Sequence, residues 1–95
     1  MNGRDVNFTV NFVTPEEIRE LNRKHLGKDK VTDVLAFPNL DIKAGQLPTR
    51  ENFPLEYNPK TKRVELGDIA VNEEEENKDM LIEHALMHLL GYHHE

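Results

Sequence analysis

The fold of this 95-residue chain is decided by the stretch VNFTVNFVTPEEIRELNRKHLGKDKVTDVLAF, residues 6–37. Its first residues alternate between apolar and polar side chains, which is the period of a half-buried strand; the apolar positions are Val6, Phe8, Val10 and Phe12. A helix is predicted next, because Thr14 can cap it, Pro15 suits its first position and Glu17 completes a capping box. Gly27 is a natural end for this helix.

The segment VTDVLAF, Val31–Phe37, is predicted to form a second strand that Pro38 ends. It is continuous and apolar enough to lie centrally in a sheet. A strand, a helix and a strand of this combined length predict a βαβ unit, in which the two strands run parallel and the crossover is right-handed.

Outward from this stretch, residues 38–63 show little periodicity and predict a long loop, of the kind that is usually functional or mobile. Val64–Val71 is predicted as a third strand, interrupted at Gly67 and Asp68. Asn72 or Asn77 is expected to cap the last helix. Because Met80–Leu90 is apolar almost all round, we expect this helix to be the most buried element.

These elements predict an α/β (α+β) fold in one domain, residues 1–95. The sheet is expected to be small and mixed, with about three strands, the βαβ unit and an antiparallel edge strand, next to a buried C-terminal helix.

The composition restricts the class of protein. There are no cysteines, so disulfides and thiolate metal sites are excluded. No apolar run is long enough to span a bilayer and the first residues lack the apolar core of a signal peptide, so we expect a cytoplasmic protein with no membrane partner. The net charge of -6 argues against broad nucleic-acid binding, although basic residues cluster between positions 19 and 30.

The end of the chain, EHALMHLLGYHHE (Glu83–Glu95), carries the pattern H-x-x-x-H-x-x-G-x-x-H. His84 and His88 lie one helical turn apart and can point two imidazoles at one ion. Gly91 can end the helix and turn the chain, so that His94 approaches the same point. Three imidazoles leave the fourth position of a tetrahedral zinc open, as in catalytic sites. The sequence therefore predicts one Zn²⁺ per chain.

Two alternatives remain for this segment. The histidines could be ordinary surface or core side chains followed by a solvated tail, or His93 rather than His94 could be the third ligand. The spacing favours His94, because it is the spacing of the metzincin zinc proteases. Those proteases have a glutamate after the first histidine, and Ala85 stands there in this chain. A protease is therefore disfavoured, since no carboxylate follows the first ligand to activate water.

Three blocks of this sequence resemble the YbeY family of bacterial rRNA-maturation endoribonucleases. HALMHLLGYHH resembles the family signature H-G-x-x-H-L-x-G-Y-D-H, IRELNRKHLGKDKVTDVLAFP (Ile18–Pro38) resembles L-N-x-x-Y-R-G-K-D-x-P-T-D-V-L-S-F-P, and ELGDIAV resembles its G-D-I strand. The resemblance implies a zinc-dependent endoribonuclease that cleaves single-stranded RNA in rRNA maturation and ribosome biogenesis, with the small ribosomal subunit as an expected partner. Its implied zinc ligands fall on His84, His88 and His94.

The chain departs from the family pattern at Leu26, where the family usually has an arginine that could hold a phosphate. Nearby cations are expected to substitute for it in substrate binding: Arg23, Lys24 and Lys28. If they do not, the alternative is a catalytically weak or inactive zinc-binding, ribosome-associated module. No residue is assigned as the general base from the sequence. Asp68 either orients a ligand histidine or is an ordinary bulge aspartate.

Overall fold

The computed structural model describes residues 6–92. Along the chain it contains β1 (Val6–Val13), α1 (Pro15–Leu26), β2 (Val34–Pro38), β3 (Tyr57–Asn58), β4 (Arg63–Asn72) and α2 (Lys78–Leu89). Two helices and a mixed four-stranded sheet make a small α+β fold, which confirms the predicted fold class.

The central strand of the sheet is β4. It pairs with β1 in parallel on one side and with both β2 and β3 in antiparallel fashion on the other. β1 and β2 therefore run in opposite directions and do not pair, so the predicted parallel βαβ unit and the central position of β2 are both wrong. The physical reason is β4 itself, which is twice as long as β2 and is buried on both faces over residues 69–72, so that it takes the centre. The length of the connection between β1 and β2 does not reveal that a later strand, β4, will lie between them in the sheet.

The glycine in β4 bends the strand without interrupting it. Asn7 pairs with Glu65 and Phe8 with Gly67, so one extra residue of β4 forms a bulge at this point. Gly67 has a φ of 140°, and a Cβ on it would lie 2.2 Å from the carbonyl oxygen of Phe37. Only glycine lets β2 approach β4 this closely.

Helix α1 lies on one face of the sheet and α2 on the other, because alternate β4 residues belong to two separate clusters. Ala70 packs with Ile18 and Leu35 on the α1 face. The larger core on the α2 face contains Leu40, Ile42, Phe53, Val64, Leu66, Ile69, Val71, Ala85 and Leu89. The predicted start and end of α1 are confirmed: the capping box between Thr14 and Glu17 forms, and Gly27 takes the left-handed conformation.

The prediction that the last helix is the most buried element is wrong. Only Ala85 and Leu89 of α2 are fully buried, whereas Met80 is 69% exposed and Met87 39% exposed. β4 is the most buried element. An apolar composition all round the helix does not bury it, because the sheet offers α2 only one face to pack against. Asn77 is the N-cap residue, but its side chain donates or accepts no capping hydrogen bond.

The long segment after β2 packs against the α2 face through its buried apolar side chains, Leu40, Ile42 and Phe53. It also contacts the end of α2. A Cβ on Gly91 would lie 2.5 Å from the carbonyl oxygen of Ile42, and the Gly45 N–H donates to the Tyr92 hydroxyl at 3.2 Å. The segment therefore fixes where the chain leaves α2.

Candidate metal centre and cleft

The two helical histidines converge as their spacing predicts. The Nε2 atoms of His84 and His88 are 3.1 Å apart, and their ring centroids are separated by 4.8 Å at an interplanar angle of 73°. Bonds from zinc to imidazole nitrogen are roughly 2.0–2.1 Å long, so both nitrogens are within reach of a single ion. Imidazole nitrogen is also a donor type that suits zinc. The arrangement therefore fits a metal ion.

The predicted third ligand, His94, lies outside the described residues, as does His93. Within residues 6–92, no group of three or more histidine, cysteine, aspartate or glutamate side chains is placed to hold a metal ion. The turn that should bring His94 back does begin as expected: Gly91 follows the end of α2 with a φ of 93°. The three-histidine set stays a prediction, of which the structure describes two members.

Ala85, which stands where a zinc protease has its glutamate, faces the core. It is 1% exposed and packs in the same cluster as Leu89. A larger side chain there would have to displace the residues that enclose Ala85, and overpacking of this kind costs about 1–3 kcal/mol. The need for a small residue at this point of α2 is therefore a packing requirement.

An open cleft of about 840 Å³ runs along β2, at the edge of the sheet. Because β2 is an edge strand, side chains from both faces reach this cleft. Leu21, His25 and Leu26 of α1 line one side, and His84, Ala85 and His88 of α2 line the other. Of the long segment 38–63, only Pro38 lines the cleft. The histidine pair therefore lines an open groove beside the exposed edge of β2.

The predicted substrate-binding cations lie away from this lining. Arg23 donates to the Glu20 carboxylate, a hydrogen bond that lowers the pKa of Glu20 and raises the pKa of Arg23, and the Lys24 ammonium is 3.9 Å from the same carboxylate. Lys28 forms no ion pair with any residue between 6 and 92. Leu26 is 58% exposed and does line the cleft. The position where the family pattern has arginine thus faces the histidine pair across β2, whereas the role of the three cations stays a prediction.

Two aspartates also line the cleft. Asp68 on β4 accepts a hydrogen bond from the Thr9 hydroxyl on β1, and Asp33 accepts one from the Val34 N–H at 2.7 Å. Neither of these contacts involves a ligand histidine. The proposed orienting role of Asp68 is therefore untested, and its observed contact ties two parallel strands together.

Sequence reasoning missed the aromatic pair in the cleft. The rings of His25 and Phe37 have centroids 4.8 Å apart at 58°, and both residues line the groove beside Leu26. A signal existed in the helix: His25 follows Leu21 by four residues, which places both on one face of α1. The sequence does not show that β2 is an edge strand, so it could not indicate that this face of α1 opens onto the histidines.

Within residues 6–92, no helix is long and apolar enough to cross a membrane. The fold and the histidine pair define a small α+β domain with a candidate metal centre in an open cleft. A family model described as "Endoribonuclease YbeY" matches residues 2–95, and the chain belongs to that family.

Curated relatives of the same description cover nearly the whole chain. The sequence is 38% identical to the Endoribonuclease YbeY of Clostridioides difficile (strain 630), over 98% of this chain and 63% of the relative. It is 35% identical to that of Thermoanaerobacter sp. (strain X514), over 96% of this chain and 63% of the relative. The chain therefore spans slightly less than two thirds of the length of these relatives.

Proposed function

We propose that this chain is a zinc-dependent endoribonuclease that cleaves single-stranded RNA, with ribosomal RNA at the small ribosomal subunit as its cytoplasmic substrate. The single observation that carries the proposal is the convergence of the His84 and His88 Nε2 atoms, 3.1 Å apart, on an open cleft. Membership of the endoribonuclease YbeY family supports RNA as the substrate.

His84 and His88, together with the predicted ligand His94, would hold the zinc ion. A zinc ion bound in this way supplies a Lewis acid and lowers the pKa of its bound water to about 7. The chain's own residues supply the rest of the site. Ala85 keeps the position after the first ligand apolar, so any general base must come from another part of the cleft. Asp33 and Asp68 are the carboxylates that line it within the described residues.

A second candidate function is favoured by Leu26. An apolar, 58% exposed side chain lines the cleft at the position where the family pattern has a phosphate-binding arginine. No lysine or arginine within the described residues lines the cleft, so a phosphate there would be held weakly. The alternative is therefore a zinc-binding, ribosome-associated module with little or no catalytic activity.

The test combines metal analysis with a cleavage assay. Protein purified without chelator should contain one zinc ion per chain, and His88→Ala should lose it. His25→Ala, which removes a cleft imidazole outside the ligand set, should keep the metal. Wild type should cleave a single-stranded RNA faster than His88→Ala does. Metal in wild type without cleavage above this blank would support the inert module, and absence of metal would overturn the site.

A further inference from the structure

The edge strand β2 presents backbone groups to the cleft. The Asn72 N–H donates to the Asp33 carbonyl and the Asn39 N–H to the Leu66 carbonyl, both at 2.8 Å. Residues 33 and 39 therefore face β4, and the antiparallel register places residues 35 and 37 with them. Residues 34, 36 and 38 consequently turn both their N–H and their C=O away from the sheet. No strand within residues 6–92 pairs with this side of β2.

Of the outward-facing donors, Ala36 alone remains available. The Val34 N–H already donates to the Asp33 carboxylate at 2.7 Å, and Pro38 has no N–H. The Ala36 N–H has no acceptor within the described residues, and Ala36 lines the cleft between the two helices. One donor and one acceptor of the same residue thus point side by side into the groove that holds the histidine pair.

We propose that the backbone of Ala36 binds the Watson–Crick edge of an unpaired base in the RNA strand. This inference rests on RNA being the substrate, as proposed above. A phosphate is the wrong occupant for this spot, because the Ala36 carbonyl and the carboxylates of Asp33 and Asp68 would repel an anion. A neutral base carries both a donor and an acceptor and complements both backbone groups.

The proposal supplies a physical reason for acting on single strands. Each of the four bases has a donor and an acceptor next to each other on its Watson–Crick edge, and the base can turn over to match their order. The Ala36 pair therefore accepts any base, but only one whose Watson–Crick edge is not already paired. The rings of His25 and Phe37, which line the same cleft, offer an aromatic surface on which a base can stack.

The first test compares two short fluorescein-labelled RNAs that differ in the position of one methyl group. An oligomer of 3-methyluridine has its Watson–Crick donor blocked, whereas 5-methyluridine carries the same methyl on the opposite edge. Wild-type protein with zinc should bind the 3-methyl oligomer at least about fivefold more weakly than the 5-methyl oligomer, which is the lower end of what a bidentate base contact contributes. Binding is measured by fluorescence anisotropy, and gels check that the RNA is not cleaved during the measurement.

The outcomes separate this inference from the proposed function. Equal binding of the two oligomers would overturn the role of Ala36 and leave the nuclease proposal standing. Binding of neither oligomer at low salt would overturn the proposed RNA substrate, and the inference with it.

A variant pair locates the contact. Ala36→Pro removes the outward N–H and should still fold, because proline is tolerated in an edge strand where the N–H faces away from the sheet. It should abolish the difference between the two oligomers. Val34→Pro removes an N–H that is already bonded to Asp33 and should preserve the difference. If Ala36→Pro still discriminates between the two oligomers as strongly as wild type does, the proposal is contradicted. If that variant does not fold, the amide resonance of Ala36 in wild type decides: it should shift on addition of the 5-methyl oligomer and not of the 3-methyl oligomer.

Discussion

Leu26 is the residue at which this chain can be expected to gain function by a single change. Its side chain lies in the cleft, 58% exposed, opposite the histidine pair. Leu26→Arg would place a guanidinium there, and a planar fork of donors binds a phosphate better than the lysine nearby. We expect this variant to bind a single-stranded RNA more tightly than wild type by about 1.5–3 kcal/mol, the net contribution of a hydrogen bond to a charged group. Binding and cleavage are measured on the same RNA.

Leu47→Arg is the matched control for this prediction. Leu47 is 57% exposed, almost the same as Leu26, and does not line the cleft. It adds the same positive charge to the same acidic protein at a different place. If Leu26→Arg and Leu47→Arg increase RNA affinity equally, the effect comes only from the change in net charge. If wild type already cleaves far above His88→Ala and Leu26→Arg adds nothing, an arginine at this position is dispensable.

At the scale of single residues, the sequence predicted what local geometry determines. The convergence of His84 and His88 follows from helical spacing alone, and the structure confirms it. The availability of the Ala36 N–H could not be predicted, because it depends on which strand pairs with β2 and on the Asp33 side chain that occupies the neighbouring donor. A backbone group leaves no signature in the sequence.

At the scale of elements, the end of α2 depends on a glycine that a loop covers. Gly91 and Gly45 have nearly equal φ values of 93° and 87°, so alanine is strained in a similar way at both. Only at Gly91 would the added Cβ meet backbone, 2.5 Å from the Ile42 carbonyl oxygen, whereas Gly45 has open space. We expect Gly45→Ala to lower the free energy of unfolding by roughly 1–2 kcal/mol and Gly91→Ala by roughly 1–3 kcal/mol more.

The two glycine variants also test the metal centre, because Gly91 stands between His88 and the predicted ligand His94. Denaturant unfolding gives the stabilities, and competition with a chelating dye gives the zinc affinities. Gly91→Ala should weaken zinc binding, and Gly45→Ala should leave it close to wild type. Equal zinc affinities in the two variants would mean that the turn after α2 does not position a ligand.

The elements themselves were predicted better than their arrangement. The capping box and Gly27 determine both ends of α1 through bonds within a few residues, and these predictions are confirmed. The direction of β2 is set by its antiparallel register with β4, which lies about thirty residues further along the chain. No local pattern in residues 6–37 indicates that β2 pairs with β4, and the prediction of a parallel βαβ unit is therefore wrong.

At the scale of the whole molecule, α2 is held to the sheet through one face, where Leu81, Ile82 and Leu86 pack partly buried against the core. Ala85 and Leu89 are its fully buried residues, and the larger core consists mainly of β4 and the segment after β2. A metal ion that joins α2 to the following residues would add stability to that which this packing provides. Binding to a site that is absent from the unfolded chain contributes its free energy to folding.

We therefore expect removal of zinc to lower the melting temperature of this protein. A ligand present at about a thousand times its dissociation constant stabilises by about 4 kcal/mol, and 1 kcal/mol shifts the melting temperature of a domain of this size by about 4–8 °C. Chelation should thus lower the melting temperature by more than about 10 °C, measured by circular dichroism with metal loss verified by elemental analysis. His84→Ala is the control, because a variant that cannot hold the ion should melt at the same temperature with and without chelator. An unchanged melting temperature in wild type after verified metal loss would show that the sheet and its core hold α2 in place without the ion, and that metal binding does not stabilise the fold.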